Sequence, residues 1–273
     1  MKAYDFKKVL QICLHEWQRV FVTGSGRLTL LTFFGVWVLI FHYPVRTAVE
    51  LISVSGDAGI IRSMLGDIGF RQLLQWPVAE LSVFWFAAML LLPLTCISLC
   101  CDQFASDRQR GTVKFYLLRC RRSEFLIGRF LGYASFFTLL MLSLVIITLV
   151  YAWVREPSSL SSGIRQGSDT FIFLTIWMVP FIALANFLNV LLPSGKKVIL
   201  VTILLYLLLP TLDYLAASKL QINLQTTLAL PGLGVFSTMG DTGPSLDQLT
   251  RPLLQTVSYL FLSSLIFKLR SLG

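Results

Sequence analysis

Apolar residues in this chain gather into long runs separated by short polar stretches. Six runs stand out: Leu28–Tyr43, Leu81–Cys101, Phe130–Val154, Thr170–Leu192, Val198–Leu212 and Pro252–Phe267. A helix needs about 20 apolar residues to cross a hydrocarbon core about 30 Å thick, and runs near that length recur here. Alternation with period two is absent, as are the turns that would separate barrel strands, so the pattern predicts an all-α membrane protein with six transmembrane helices. The first, fifth and sixth runs are short. They require upright packing, snorkelling flanks or extension past a charge such as Asp213.

Ahead of the first run, residues 1–27 read as an amphipathic interfacial helix and linker, followed by a six-helix domain over 28–273. On a helical wheel Phe6, Val9, Leu10, Cys13, Leu14, Trp17, Val20 and Phe21 share one arc. Lys7, Lys8, Gln11, His15, Gln18 and Arg19 lie opposite, and Ile12 breaks the pattern. Such a helix is expected in the membrane interface with Trp17 near the headgroups, entering the first span through Gly24-Ser25-Gly26. Amphipathicity alone also fits packing on a protein partner. Asp5, Glu16 and five cations in this segment do not make a cleavable signal peptide, so the amino terminus is expected to be retained.

Composition agrees with the pattern. Of 273 residues, 55% are hydrophobic and 14% charged, which excludes an ordinary water-soluble globule. The net charge is +9, and it is distributed unevenly. With six spans the loops form two sets; residues 1–27, 102–129, 193–197 and 268–273 hold 16 of the 23 Lys/Arg and 5 of the 14 Asp/Glu. Cytoplasmic loops carry the Lys/Arg excess, so both termini are expected in the cytoplasm. This retention accounts for the basic balance without a nucleic-acid partner; the bilayer itself is the partner that composition implies.

The loop after the second run is more ordered than charge retention requires. Gly111-Thr112 can open a helix in which Val113, Tyr116, Leu117 and Cys120 fall at i, i+3, i+4 and i+7, with Lys114, Arg121 and Arg122 off that stripe. Ser123 and Glu124 resemble the start of a further helix leading into the third span. Gly128 and Gly132, four apart, permit close approach of another helix.

These residues carry a resemblance. "DRQRGTVKFYLLRCRRSEFLIGRFLG" is similar to the loop between spans two and three of type-2 permeases of ATP-binding-cassette (ABC) transporters, with Asp107, Arg110, Gly111, Thr112, Leu117, Leu118, Glu124, Gly128, Arg129 and Gly132 matching. The turn Arg119-Cys120-Arg121-Arg122 departs from that pattern by being shorter and lacking proline. The resemblance implies a permease subunit of an exporter in the bacterial cytoplasmic (inner) membrane, with a second permease, identical or homologous, forming the pathway. It implies a coupling helix that docks on a cytosolic ATPase, present in two copies. The contact surface would run through Arg108, Arg110, Gly111, Thr112, Val113, Lys114, Tyr116, Leu117, Leu118, Arg119, Arg121, Arg122 and Glu124. A second cytosolic loop would contribute Lys196 and Lys197. A complex that transmits force or matures another protein without export is one alternative. A secondary transporter is another, although coupling-ion ligands and an inverted repeat are not evident.

The chain is not expected to be an enzyme. "PSGKK" ends like a phosphate-binding loop, but Val190 and Lys197 occupy the positions of its first glycine and its Ser/Thr, so no cofactor is expected here and ATP and Mg would belong to the partner ATPase. His15 and His42 lie far apart, and no catalytic motif joins them. Cys96 and Cys100 at i, i+4 fit helix packing better than a metal, because no His or Met has matching spacing. Pro180, Asn186 and Asn189 in the fourth run suit a kink with interhelical hydrogen bonds, or a pathway lining. In "LALPGLGVF", Pro231, Gly232 and Gly234 break a stretch too short to cross, which predicts an interfacial or re-entrant element between spans five and six; by the resemblance it would be an outer gate.

Overall fold

The computed structural model describes residues 5–45, 76, 78–101, 104, 107, 110–220, 229–232 and 249–269. Among them every regular element is helical. In chain order the helices are α1 (Phe6–Val22), α2 (Gly24–Ile40), α3 (Ala79–Cys100), α4 (Val113–Arg119), α5 (Arg122–Arg155), α6 (Leu160–Leu191), α7 (Gly195–Leu215) and α8 (Thr250–Leu269). Single π-helical turns, Phe41–Val45 and Ala216–Leu220, extend α2 and α7. All but α1 and α4 are long and apolar enough to cross a membrane, the make-up of a multi-pass membrane protein.

Each expected span has its helix, and every helix starts earlier than expected. The short fifth run is lengthened as required, since α7 continues through Asp213 to Leu215. The largest change is in α5, whose 34 residues make a rod about 51 Å long, about 20 Å more than the hydrocarbon core needs. Its start is also corrected. Ser123 does not cap it; the helix begins at Arg122, and Glu124 folds back so that Oε2 accepts the Arg121 N–H (2.8 Å).

Helix α6 occupies the centre, burying Phe173, Trp177, Phe181, Ala185 and Leu188 against α8, α5 and α3. Helices α2 and α7 are peripheral. Of α7 only Val198 and Thr202 are buried, and α2 meets the bundle through Trp37 and Phe41, whose rings lie 5.4 and 6.1 Å from that of Phe84 on α3. Cys96 and Cys100 lie in the same core.

Polar groups within the bundle tie helices together. Asn189 Nδ2 donates to the Cys100 carbonyl of α3 (2.9 Å) and to Ala185 within α6 (2.8 Å). At one end of the bundle the buried Glu80 of α3 is ion-paired with Arg155 at the close of α5, where Gln166 Oε1 also accepts the Val78 N–H (3.3 Å). The other end carries α1, α4 and the start of α5. There Arg122 Nη1 donates to the Phe267 and Lys268 carbonyls (2.9 and 3.0 Å), capping α8 with a cation as its orphaned carbonyls favour.

Candidate functional site

Helix α4 lies against the extension of α5 beyond the core length. Its stripe is the expected one: Val113 is buried, Tyr116, Leu117 and Cys120 are half-buried, and Tyr116 stacks on Phe125 with centroids 5.3 Å apart. Phe104, Phe125 and Phe267 complete the apolar seat beneath it. The opposite face is open. Phe115 is 69% and Leu118 76% exposed, and Arg110, Lys114 and Arg119 surround them.

Gly111 and Asp107 explain how the helix begins. Gly111 has φ +69°, a conformation that side chains with a Cβ rarely adopt. The turn closes when Thr112 N–H donates to the Asp107 carbonyl (2.9 Å), with the Thr112 hydroxyl 3.1 Å from that carbonyl and 3.2 Å from Oδ1.

The Asp107 carboxylate is held in turn by a buried ionic cluster. Arg129 of α5, 1% exposed, pairs with Asp107 and places Nε 3.3 Å from Oε1 of Glu16 on α1. Its guanidinium lies over the rings of Phe125 (4.6 Å) and Phe104 (5.1 Å). Arg19 adds longer contacts, 3.9 Å to Glu16 and 3.8 Å to Asp107. Burial works against the charge on Asp107, but Arg129, Arg19 and the Thr112 bond outweigh it and hold its pKa below the ordinary value.

The cluster requires α1 to lie close to α5, and two glycines allow it. A Cβ on Gly128 would stand 2.9 Å from Ile12 Cβ, and one on Gly132 would stand 3.1 Å from Glu16 Cβ. The close approach inferred from their spacing is therefore made by α1. Trp17 donates Nε1–H to Ser135 Oγ of α5 (2.9 Å). Ile12, which broke the amphipathic arc, belongs with Val9 and Glu16 to a second face that packs on protein, while Phe6, Leu10, Leu14 and Phe21 remain exposed. The backbone N–H of Asp5 donates to Glu124 Oε1 (3.0 Å), fastening the start of α1 to the first turn of α5.

The proposed contact residues thus divide. Arg110, Lys114, Leu118 and Arg119 are exposed; Gly111, Thr112, Tyr116, Leu117, Arg121 and Arg122 are half-buried; Val113 and Glu124 face inward and hold the helix in place. Arg108 lies outside the described residues. Lys196 and Lys197 are exposed in the first turn of α7. Sequence reasoning missed Phe115, Phe104 and the role of Glu16. For Glu16 the signal was present in the i, i+3, i+7 spacing of Val9, Ile12 and Glu16.

Away from this end, Asn186 and Asn189 are wholly buried within the chain and Pro180 sits inside a continuous α6. Pro231 and Gly232 belong to a turn, Ala229–Gly232, held by successive carbonyls: Tyr259 hydroxyl donates to Ala229, Gln255 Nε2 to Leu230 (3.3 Å) and Tyr206 hydroxyl to Pro231 (2.7 Å). Gly232 has φ +88° and lies where a Cβ would be 3.0 Å from Phe181 Cζ. Gly234 is outside the described residues.

A search of curated proteins finds no match to the chain. A family model covers most of it, from residue 66 to residue 270, and so includes α3 to α8 with the Asp107–Arg129 pair but not Glu16. By that match the chain belongs to the family described as a protein of unknown function, DUF2705.

Proposed function

We propose that this protein is the membrane-spanning permease subunit of an ABC exporter in a bacterial cytoplasmic membrane, with α4 as the coupling helix that receives force from a separate ATPase. The observation that carries the reading is the open face of α4. Two large apolar side chains, Phe115 and Leu118, stand exposed among Arg110, Lys114 and Arg119 on a helix whose other face is seated in an ionic and aromatic cluster. An apolar anchor ringed by cations suits a groove with an acidic rim on a partner. Rigid seating on α5 suits transmission, because a load on α4 reaches a membrane helix without an intervening flexible joint. Lys196 and Lys197, in the first turn of α7 just past the end of α6, would form a second contact at the same end.

In this reading both termini are cytoplasmic, and two permeases, identical or homologous, enclose the pathway while two ATPases bind ATP and Mg beneath. The exposed apolar faces of α2 and α7 are available to the second permease and to lipid. The Ala229–Gly232 turn, bonded to Tyr206 and Tyr259 near the middle of their helices, suits an outer gate. The test is co-purification with ABC ATPases co-expressed from the same genome. Leu118→Asp and the pair Lys114→Glu, Arg119→Glu should each reduce capture at least about tenfold, as loss of an interface anchor does. Melting should be unchanged because these side chains are exposed. Undiminished capture would overturn the docking assignment, and a complex whose ATPase activity in liposomes responds to no transported substrate would point to force transmission without export.

A further inference from the structure

Helices α5, α6 and α8 meet in an apolar layer at the end of the bundle that carries α1 and α4. Phe125, Val190 and Phe267 belong to one buried cluster, and the rings of Phe125 and Phe267 stack with centroids 6.5 Å apart. Helix α5 starts at this end while α6 and α8 finish there, since Arg122 reaches the last carbonyls of α8. One turn deeper into the bundle is therefore four residues later on α5 and four earlier on α6 and α8, about 6 Å along each axis and on the same helix face.

That step leads from Phe125 to Arg129, from Val190 to Asn186 and from Phe267 to Ser263. All three are polar and all are sealed from the surface: Arg129 is 1% exposed, and Asn186 and Ser263 are 0% exposed. Asn186 Nδ2 and Oδ1, Ser263 Oγ and Arg129 Nη1 have no hydrogen-bond partner among the described residues. Other buried hydroxyls of this bundle behave differently. Thr148, Thr202 and Thr256 each donate to the carbonyl four residues before them, whereas Ser263, on the same helix as Thr256, makes no such bond. A stranded buried polar group carries its full desolvation cost, and nearly all such groups in folded proteins are satisfied by protein or by ordered water.

We propose that this layer binds water, a small cluster between α5, α6 and α8 that bridges Asn186, Ser263 and Arg129 Nη1. The mixture of groups selects the ligand. Arg129 Nη1 and Asn186 Nδ2 can only donate, Asn186 Oδ1 can only accept, and Ser263 can do either. A cation would satisfy only the acceptors and an anion only the donors; water serves both, and a buried water typically makes about three such bonds. Charge does not call for an ion either, because Arg129 is already paired with Asp107 and Glu16. The assignment is independent of any ATPase.

The test is radiolytic footprinting of the full-length protein in nanodiscs, in which X-ray pulses convert bound water to hydroxyl radicals that oxidise the side chains beside it. Phe267 and Phe125 should be oxidised although they are buried, and more so than Phe137, which is equally buried but lies in the main apolar core. Asn186→Leu with Ser263→Ala should lower Phe267 oxidation about tenfold, as occupancy falls when a water loses one hydrogen bond. The exposed Phe115 should be oxidised as in the parent. Ser263→Ala alone, a smaller change to the core, should give a smaller fall at the same residue. Phe267 oxidised no more than Phe137 in the parent, or oxidised equally in the parent and both variants, would overturn the proposal. Oxidation that appears only after chloride is replaced by gluconate would also overturn it, by assigning the layer to an anion.

Discussion

Replacing Arg129 by Met removes the buried cation that pairs with both Glu16 and Asp107. Arg129 and Glu16 side chains are 1% and 3% exposed and Asp107 is 14% exposed, so neither carboxylate can recover its hydration where it stands. Removing one partner of a buried pair costs about 3–5 kcal/mol, and the guanidinium also loses its place over Phe104 and Phe125. The cost falls on the joint between α1 and α5, because Glu16 belongs to one helix and Arg129 to the other. Cys13 reports on that joint, since its Sγ lies 3.7 Å from Ser135 Oγ on α5. In a variant with Cys13 as the sole cysteine, Arg129→Met should speed alkylation at least about a hundredfold, because local opening becomes more populated by that factor. The companion variant is Arg129→Met with Glu16→Gln and Asp107→Asn. It carries no stranded charge and should return much of the lost protection. If Arg129→Met leaves Cys13 as slow as in the parent, or if the triple variant is as fast as the single one, the cluster is not what holds α1.

The same joint should respond to space. Gly128→Val drives a side chain into Ile12 and the Val9 carbonyl, an overpacking cost of about 1–3 kcal/mol, visible as roughly ten- to hundredfold faster Cys13 alkylation. Asp107 gives the cluster a pH dependence: its pKa is lowered on folding, so its contribution is complete above the ordinary Asp value of about 3.9 and disappears as pH falls through the lower folded one. The melting-temperature difference between the parent and Asp107→Asn should accordingly be constant near neutrality and shrink below about pH 4. Gly232→Ala meets both a positive φ and the Phe181 ring, and should lower stability by about 1–3 kcal/mol in detergent melting, whereas Ala at the exposed Leu118 should change it little.

The six crossings were legible because hydrophobic length is a one-dimensional property, and any stretch of about 20 apolar residues announces itself. Helix α4 was legible for a related reason: the i, i+3, i+4, i+7 stripe from Val113 to Cys120 needs only local periodicity. The partner of the Gly128–Gly132 face was not, because spacing shows that a helix comes close but not which one. For Glu16 the spacing with Val9 and Ile12 marked a shared face but likewise not its partner. A lone acid in an amphipathic helix looks solvated until Arg129, more than a hundred residues away, is brought beside it. The start of α5 was misplaced by two residues because Glu124 reads as a first-turn acid in either register, and only the bond back to the Arg121 N–H fixes it.

Three of the crossing helices carry an internal proline, Pro93 in α3, Pro180 in α6 and Pro210 in α7, and α5 has none. Prolines are where helices bend, so α5 is built to move as a stiff beam while its neighbours can flex. With α1 and α4 bolted to one tip and the Glu80–Arg155 pair gripping the other, a swing of about 5° about either anchorage carries the free tip of a rod about 51 Å long through about 4 Å. If α4 receives force as proposed, a tilt imposed at the basic end would reach the opposite tip as a displacement comparable to an atom's diameter.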